Sequence, residues 1–240
     1  MKLFNKERFK FVEGKRLKNY LIYALGEIIL VVVGILIAVS INSYSNTASL
    51  NKANDALRVQ VIKNLENDIT KVTRFQDKLE TLNQNYLAIL GRSKNTPQAT
   101  IERLTAMLPF KIEVLSLRKS TMNLIDNAEL NTSKAAAGML NLSNTYKVYL
   151  ADISDIEAVI FEAMSANLKS VEETQDWYVE FVTDFNCNSD CFNYLATDKG
   201  HIARMASLRF LYDDQYSQII DGFKNDLEFY LDVLKTSGVN

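Results

Sequence analysis

The sequence predicts an all-α fold: one N-terminal transmembrane helix followed by an extended antiparallel four-helix-type bundle. Three observations carry this expectation. Residues 20–42, YLIYALGEIILVVVGILIAVSIN, are almost continuously apolar, and at about 1.5 Å per residue a helix of that length crosses a hydrocarbon core of about 30 Å. Only eight Gly and two Pro occur in 240 residues, so little interrupts a helix. Downstream, apolar residues recur at spacings of three and four over long runs, the period of an amphipathic helix.

Charge gives the span a direction. Residues 1–19 hold seven Lys or Arg and two Glu, whereas residues 43–240 hold 20 basic and 26 acidic residues. A positive flank stays in the cytoplasm. The expected order is therefore a basic cytoplasmic tail (1–19), a transmembrane helix (20–42) and a periplasmic helical bundle (43–240) in a single-pass inner-membrane protein. The apolar run is longer than the core of a cleaved signal peptide, and only Ala38-Val39-Ser40 offers small residues at a cleavage spacing, so a retained anchor is expected. Phe4, Phe9, Phe11 and Val12 would let the basic tail lie on an anionic inner leaflet, although an ordinary positive flank is the simpler reading. The acidic balance of the larger part argues against nucleic acid as a partner.

Inside the span, Glu27 is the anomaly. Hydrocarbon beginning only after it would leave Ile28 to Ile41, too short to cross, so the carboxylate is expected within the membrane. At about 100° per residue, Tyr23, Glu27, Val31, Gly34, Ala38 and Asn42 share one stripe. Gly34 and Ala38 let a second helix approach closely, and a protonated or hydrogen-bonded Glu needs a partner that lipid cannot supply. The stripe is expected to be a contact face toward another copy of the chain or another membrane protein. A proton-responsive Glu27 coupled to an ion-driven partner is one alternative; a Glu27 that bonds Tyr23 or snorkels to the inner surface is another.

Lys18-Asn19-Tyr20-Leu21-Ile22-Tyr23-Ala24-Leu25-Gly26-Glu27-Ile28, followed by Gly34-Ile35-Leu36-Ile37-Ala38 and Ile41-Asn42, resembles the anchor of a family of uncharacterised single-span inner-membrane proteins of Gram-negative bacteria. The Tyr-Ala-x-Gly-Glu-Ile core is the specific part. The family's anchor usually ends in Asn-Asn-Trp-Asn-Glu; here Asn42-Ser43-Tyr44-Ser45-Asn46 stands instead. A second patch, Ser120 to Leu130 (STMNLIDNAEL), is similar to relatives that tend to carry Ser-Gly at the place of Asn127-Ala128. The resemblance implies topology and no activity.

The remaining elements follow in order. Ser43 to Asn51 is polar, either a weak helical hinge or part of one continuous helix. Leu57, Val61, Leu65, Ile69, Val72, Phe75, Leu79, Leu82, Tyr86 and Ile89 then mark a long helix that Gly91 ends. Pro97 opens a shorter stretch with Ile101, Leu104 and Leu108, Pro109 breaks it, and Ser120 or Thr121 is expected to cap a short helix through Ile125. Thr132 or Ser133 caps the run from Met139 to Val171, which would continue at most to Trp177. The last run goes from Met205 to Leu234. Three long arms and one broken arm suggest the bundle, although the three-and-four spacing alone could equally serve a coiled-coil dimer, and some of both is expected. Tyr146, Tyr149, Tyr212, Tyr216, Phe223 and Tyr230 sit at core spacing, although a tyrosine-rich interior could also line a small-molecule pocket.

Chemistry-bearing residues are few. Cys187 and Cys191, the only cysteines, lie four apart and are expected to form a local disulfide outside the cytoplasm. Asp184, Asn186, Asn188 and Asp190 alternate as in half of a calcium loop, but Ser189 and Leu195 replace the turn Gly and the bidentate Glu, so a polar turn is expected. The one histidine, His201, with Cys187, Cys191 and Asp198 fits no common zinc spacing. The acidic pairs Asp152 with Asp155, Glu172 with Glu173 and Asp213 with Asp214 read as solvated faces. No metal, cofactor or enzymatic activity is expected. The function expected is a membrane-anchored interaction or scaffold protein; a ligand-sensing bundle signalling through a separate cytoplasmic partner is the alternative.

Overall fold

The computed structural model describes residues 15–94, 96–184 and 186–237. The segment 1–14, where the amphipathic reading of Phe4, Phe9, Phe11 and Val12 falls, lies outside the described residues. Helices α1 (Lys15–Ile89), α2 (Gln98–Met107), α3 (Ser120–Asp126), α4 (Lys134–Thr174), α5 (Tyr178–Asp184), α6 (Ser189–Thr197), α7 (Lys199–Phe210) and α8 (Ser217–Thr236) follow in chain order. A 3₁₀ turn, Leu108–Phe110, follows α2, and a π-helical segment, Leu211–Tyr216, joins α7 to α8. No β-strand occurs among the described residues. The chain is thus all-helical, with one apolar helix near its N-terminus long enough to cross a membrane. It divides into two units, Met1–Ala53 and Asn54–Asn240.

In the first unit, α1 carries the apolar stretch. From Tyr20 to Ser49 every residue is exposed except the half-buried Ala24. Ser43 to Asn51 is regular helix, so the hinge alternative gives way to continuity. Thr47 spends its hydroxyl on the Ser43 carbonyl one turn back (2.9 Å), which removes a polar group that would otherwise compete with the backbone.

The second unit is packed around apolar and tyrosine side chains. Val61, Leu65, Val72, Phe75, Leu79, Leu82 and Tyr86 of α1 are buried, as the three-and-four spacing requires. Arg58 Nη1 donates to the Leu234 carbonyl (2.9 Å), Phe75 meets Tyr216 with ring centres 5.2 Å apart, and Arg209 Nε donates to Asn83 Oδ1 (2.8 Å). One number falls as the other rises, so this part of α1 runs antiparallel to the α7–α8 arm. Helix α4 runs antiparallel to that arm too: Gly138 lies against Val233, Tyr146 stands edge-on to Phe223, and Asn167 meets Arg204. Between α1 and α4 the broken arm returns along α1, with Glu113 near Lys78, Thr121 against Asp68, and the Glu129 carbonyl against Asn54.

Local signals explain where elements stop. Gly91 takes φ +67°, the left-handed conformation that suits glycine at a helix end. Gly222 serves another need, because a Cβ there would stand 2.9 Å from the Tyr149 hydroxyl. Ser133 Oγ accepts from the Ala136 N–H and starts α4, which ends at Thr174 and does not reach Trp177. The expected cap at Ser120 or Thr121 is not one: Lys119 is the first flanking residue of α3, no side chain caps it, and Thr121 has a buried partner instead. Helices α5 and α6 occupy a stretch that reads as loop in the sequence. A small second core holds them, with Val171, Trp177, Phe181, Cys191 and Leu195 buried and Phe110 packed alongside.

Candidate functional site

Two carboxylates stand where apolar neighbours are the rule. The first is Asp68, buried in the second unit at the spacing of the core stripe, three residues after Leu65 and four before Val72. Its Oδ2 accepts from Thr121 Oγ1 (2.7 Å) on α3 and from the Tyr146 hydroxyl (2.9 Å) on α4, and Lys71 Nζ donates to Oδ1 (3.2 Å). A buried carboxylate is tolerated only when donors surround it. The three donors come from three helices, so the same contacts that satisfy Asp68 hold α3 and α4 against α1. Burial, with the Asp68 charge beside it, pushes the Tyr146 hydroxyl well above the usual phenol range, so it stays a hydrogen-bond donor.

Neighbouring polar contacts extend this fastening. Asp126 accepts from Ser143 Oγ (2.5 Å) and Lys147 Nζ (3.1 Å) on α4, and these hydrogen bonds hold its carboxyl below the ordinary range. Asn54 donates to the Glu129 carbonyl (2.9 Å) and accepts from the Asn131 N–H (3.1 Å). The stretch Ser120 to Leu130 therefore works as a strap between α1 and α4. Farther along, the Tyr212 hydroxyl accepts from the Glu113 N–H (3.0 Å) and the Tyr216 hydroxyl from the Leu115 N–H (3.0 Å). Tyr216 also donates to Glu157, which itself accepts from the Leu115 N–H (2.9 Å). Burial raises both phenols, and the bond to Glu157 raises Tyr216 further. These groups orient backbone; with their protons held, they are poor nucleophiles.

The second is Glu27. Tyr23, Glu27, Val31, Gly34, Ala38 and Asn42 all lie on α1 and all are exposed. Helical geometry gathers them within an arc of about 100°. Nothing lies within 4 Å of a Cβ built on Gly34, and Glu27 has no hydrogen-bond or ion-pair partner among the described residues.

The cysteine loop carries the remaining candidates. Cys187 and Cys191 are joined by a disulfide. Asn188 caps α6, its Oδ1 accepting from the Asp190 and Cys191 N–H groups, so that side chain is spent on the helix end. Among the described residues no group of three His, Cys, Asp or Glu is placed to hold a metal. His201 is buried, with Nδ1 3.1 Å from Asn167 Oδ1, which also accepts from Arg204 Nε (3.0 Å). Asp68, Asn167 and Glu157 are the residues that sequence reading missed. Asp68 and Asn167 were detectable as polar residues at apolar-period positions, the latter between Met164 and Val171.

Comparison of the chain with protein-family models, curated proteins and solved structures finds no match.

Two outcomes are expected. Asp68→Ala strands the Tyr146 and Thr121 hydroxyls and should cost about 3 kcal/mol of stability in urea unfolding of the full chain in detergent, whereas Tyr146→Phe should cost about 1 kcal/mol. Burial, with Arg204 beside it, pushes the His201 imidazole down to about 4 from 6.5, against the pull of Asp198. The unfolded chain then binds the extra proton first, so His201's contribution is intact above about pH 6.5 and is lost as pH falls toward 4. Thermal melts across that window should fall more steeply for the wild type than for His201→Gln; equal slopes would contradict this.

Proposed function

We propose that this chain is a membrane-anchored helical interaction or scaffold protein. In this reading it is a single-pass inner-membrane protein with a cytoplasmic N-terminus and a periplasmic four-helix-type bundle, one arm of which is broken. It belongs with the single-span family that its anchor resembles. The observation that carries the reading is the apolar stretch of α1: from Tyr20 to Asn42 every residue but Ala24 is exposed, so nothing among the described residues covers it. Water is a poor solvent for that surface and lipid a good one. The basic flank and the acidic remainder support the orientation.

Within lipid the stripe of Tyr23, Glu27, Val31, Gly34, Ala38 and Asn42 is the face on which a second helix fits, from another copy or from a membrane partner. Glu27 supplies the driving need, because a carboxylate without a donor in hydrocarbon is costly. The sensing alternative asks for a ligand pocket between the long helices. Those positions carry the fully buried Tyr86, Tyr146, Tyr212, Tyr216 and Phe223, which favours a filled core and the scaffold reading.

Glu27→Ala and Gly34→Leu should each reduce the cross-linked oligomer of the full chain in native membranes several-fold, the first by removing the polar tie and the second by blocking close approach. Unchanged cross-linking in both variants would sink the assembly role.

A further inference from the structure

Between the 3₁₀ turn and α3, residues 111–118 (KIEVLSLR) lie outside any helix, and Lys111, which opens the segment, is extended at φ −107°, ψ 119°. Their burial alternates with the period of a strand: Glu113, Leu115 and Leu117 are half-buried, while Ile112, Val114, Ser116 and Arg118 are exposed. One edge of this segment is closed. The Glu113 and Leu115 N–H groups, two residues apart and so on the same side, donate to the Tyr212 and Tyr216 hydroxyls, which stand where a neighbouring strand's carbonyls would be. The other edge is open, because the backbone N–H and C=O groups of Ile112, Val114 and Ser116 have no partner among the described residues.

An open edge of this kind is a template for an added strand. Its side chains state what the strand must carry. Ile112 (38% exposed) and Val114 (49% exposed) present an apolar strip, and the segment ends at Arg118 and Lys119, which are exposed and make no ion pair among the described residues. We propose that the open edge of residues 111–118 is a docking site for an extended peptide segment of a partner protein, laid antiparallel, with alternating apolar side chains over Ile112 and Val114 and a carboxylate at its N-terminal end against Arg118 and Lys119. Main-chain bonds fix the segment, the strip and the two cations select it, and the tyrosine hydroxyls keep the template straight from behind. For its biological use this site rests on the interaction-protein reading; its geometry is independent of the apolar span.

The test titrates the full chain in detergent micelles with the fluorescein-labelled heptapeptide Asp-Thr-Val-Thr-Val-Thr-Val, followed by anisotropy. Saturable binding is expected. Val114→Pro deletes one outward N–H that has no partner among the described residues and should weaken binding about tenfold; a probe N-methylated at its central Val should lose as much without any change to the protein. Arg118→Glu should weaken binding too, and a probe headed by Lys in place of Asp should restore it. Failure of the wild type to bind, or binding indifferent to Val114→Pro, N-methylation and the charge exchange, would overturn the proposal. So would efficient disulfide cross-linking between Ser116→Cys copies in membranes, because a second copy would then be the occupant. Gly34→Leu should bind the probe as the wild type does, so a failed span contact and a failed docking edge read out separately.

Discussion

A carboxylate placed among apolar groups needs donors, and the packed unit is shaped by that need. Asp68 obtains its donors inside the chain, from Thr121, Tyr146 and Lys71. Without it the buried Thr121 and Tyr146 hydroxyls would lose their acceptor; with it present, α3 and α4 must come to α1 in one arrangement, because the hydroxyls and the carboxylate are costly unless they meet. Glu27 stands on the apolar surface of α1 with no donor among the described residues, and in a bilayer it would face the same requirement.

The fasteners of the packed unit are polar where a simple bundle would use hydrocarbon. Thr121, Asp126 and the Glu129 carbonyl tie the strap to α1 and α4, and Tyr212 and Tyr216 hold the extended segment by its backbone. A segment without helical hydrogen bonds must satisfy its buried N–H groups elsewhere. Tyrosine suits the task, since its ring packs in the core and its hydroxyl reaches past it. The π-helical stretch Leu211–Tyr216 carries both of these tyrosines, so the widened turn coincides with the residues that grip the segment.

Much of this was legible in the sequence. The long periodic runs became buried faces, Gly91 and Ser133 marked ends correctly, and the tyrosines at core spacing are buried or packed against the core. What escaped has physical reasons. Helices α5 and α6 span seven and nine residues, too short for periodicity to register. Thr121 looked like a cap because Ser and Thr before an apolar run usually are; a buried partner 53 residues away outcompeted the local role. Asp68 and Asn167 sit beside Ile69 and Leu168, whose apolar side chains mark the runs in the sequence, though Asp68 and Asn167 occupy the more buried positions. The π segment leaves no trace in side-chain pattern, because Tyr212 and Tyr216 keep the spacing of a regular helix.

For the span, helical geometry defines the stripe and a bilayer would give it meaning. Single-cysteine substitutions from Tyr20 to Asn42, each followed by oxidative cross-linking of the full chain in native membranes, measure this directly. The account requires maxima at Tyr23, Glu27, Val31, Gly34, Ala38 and Asn42, recurring at three and four residues, with a partner helix of this chain or of a co-purified membrane protein in the cross-link. A flat profile, or maxima on the opposite face at Leu25, Ile29 and Leu36, would contradict it.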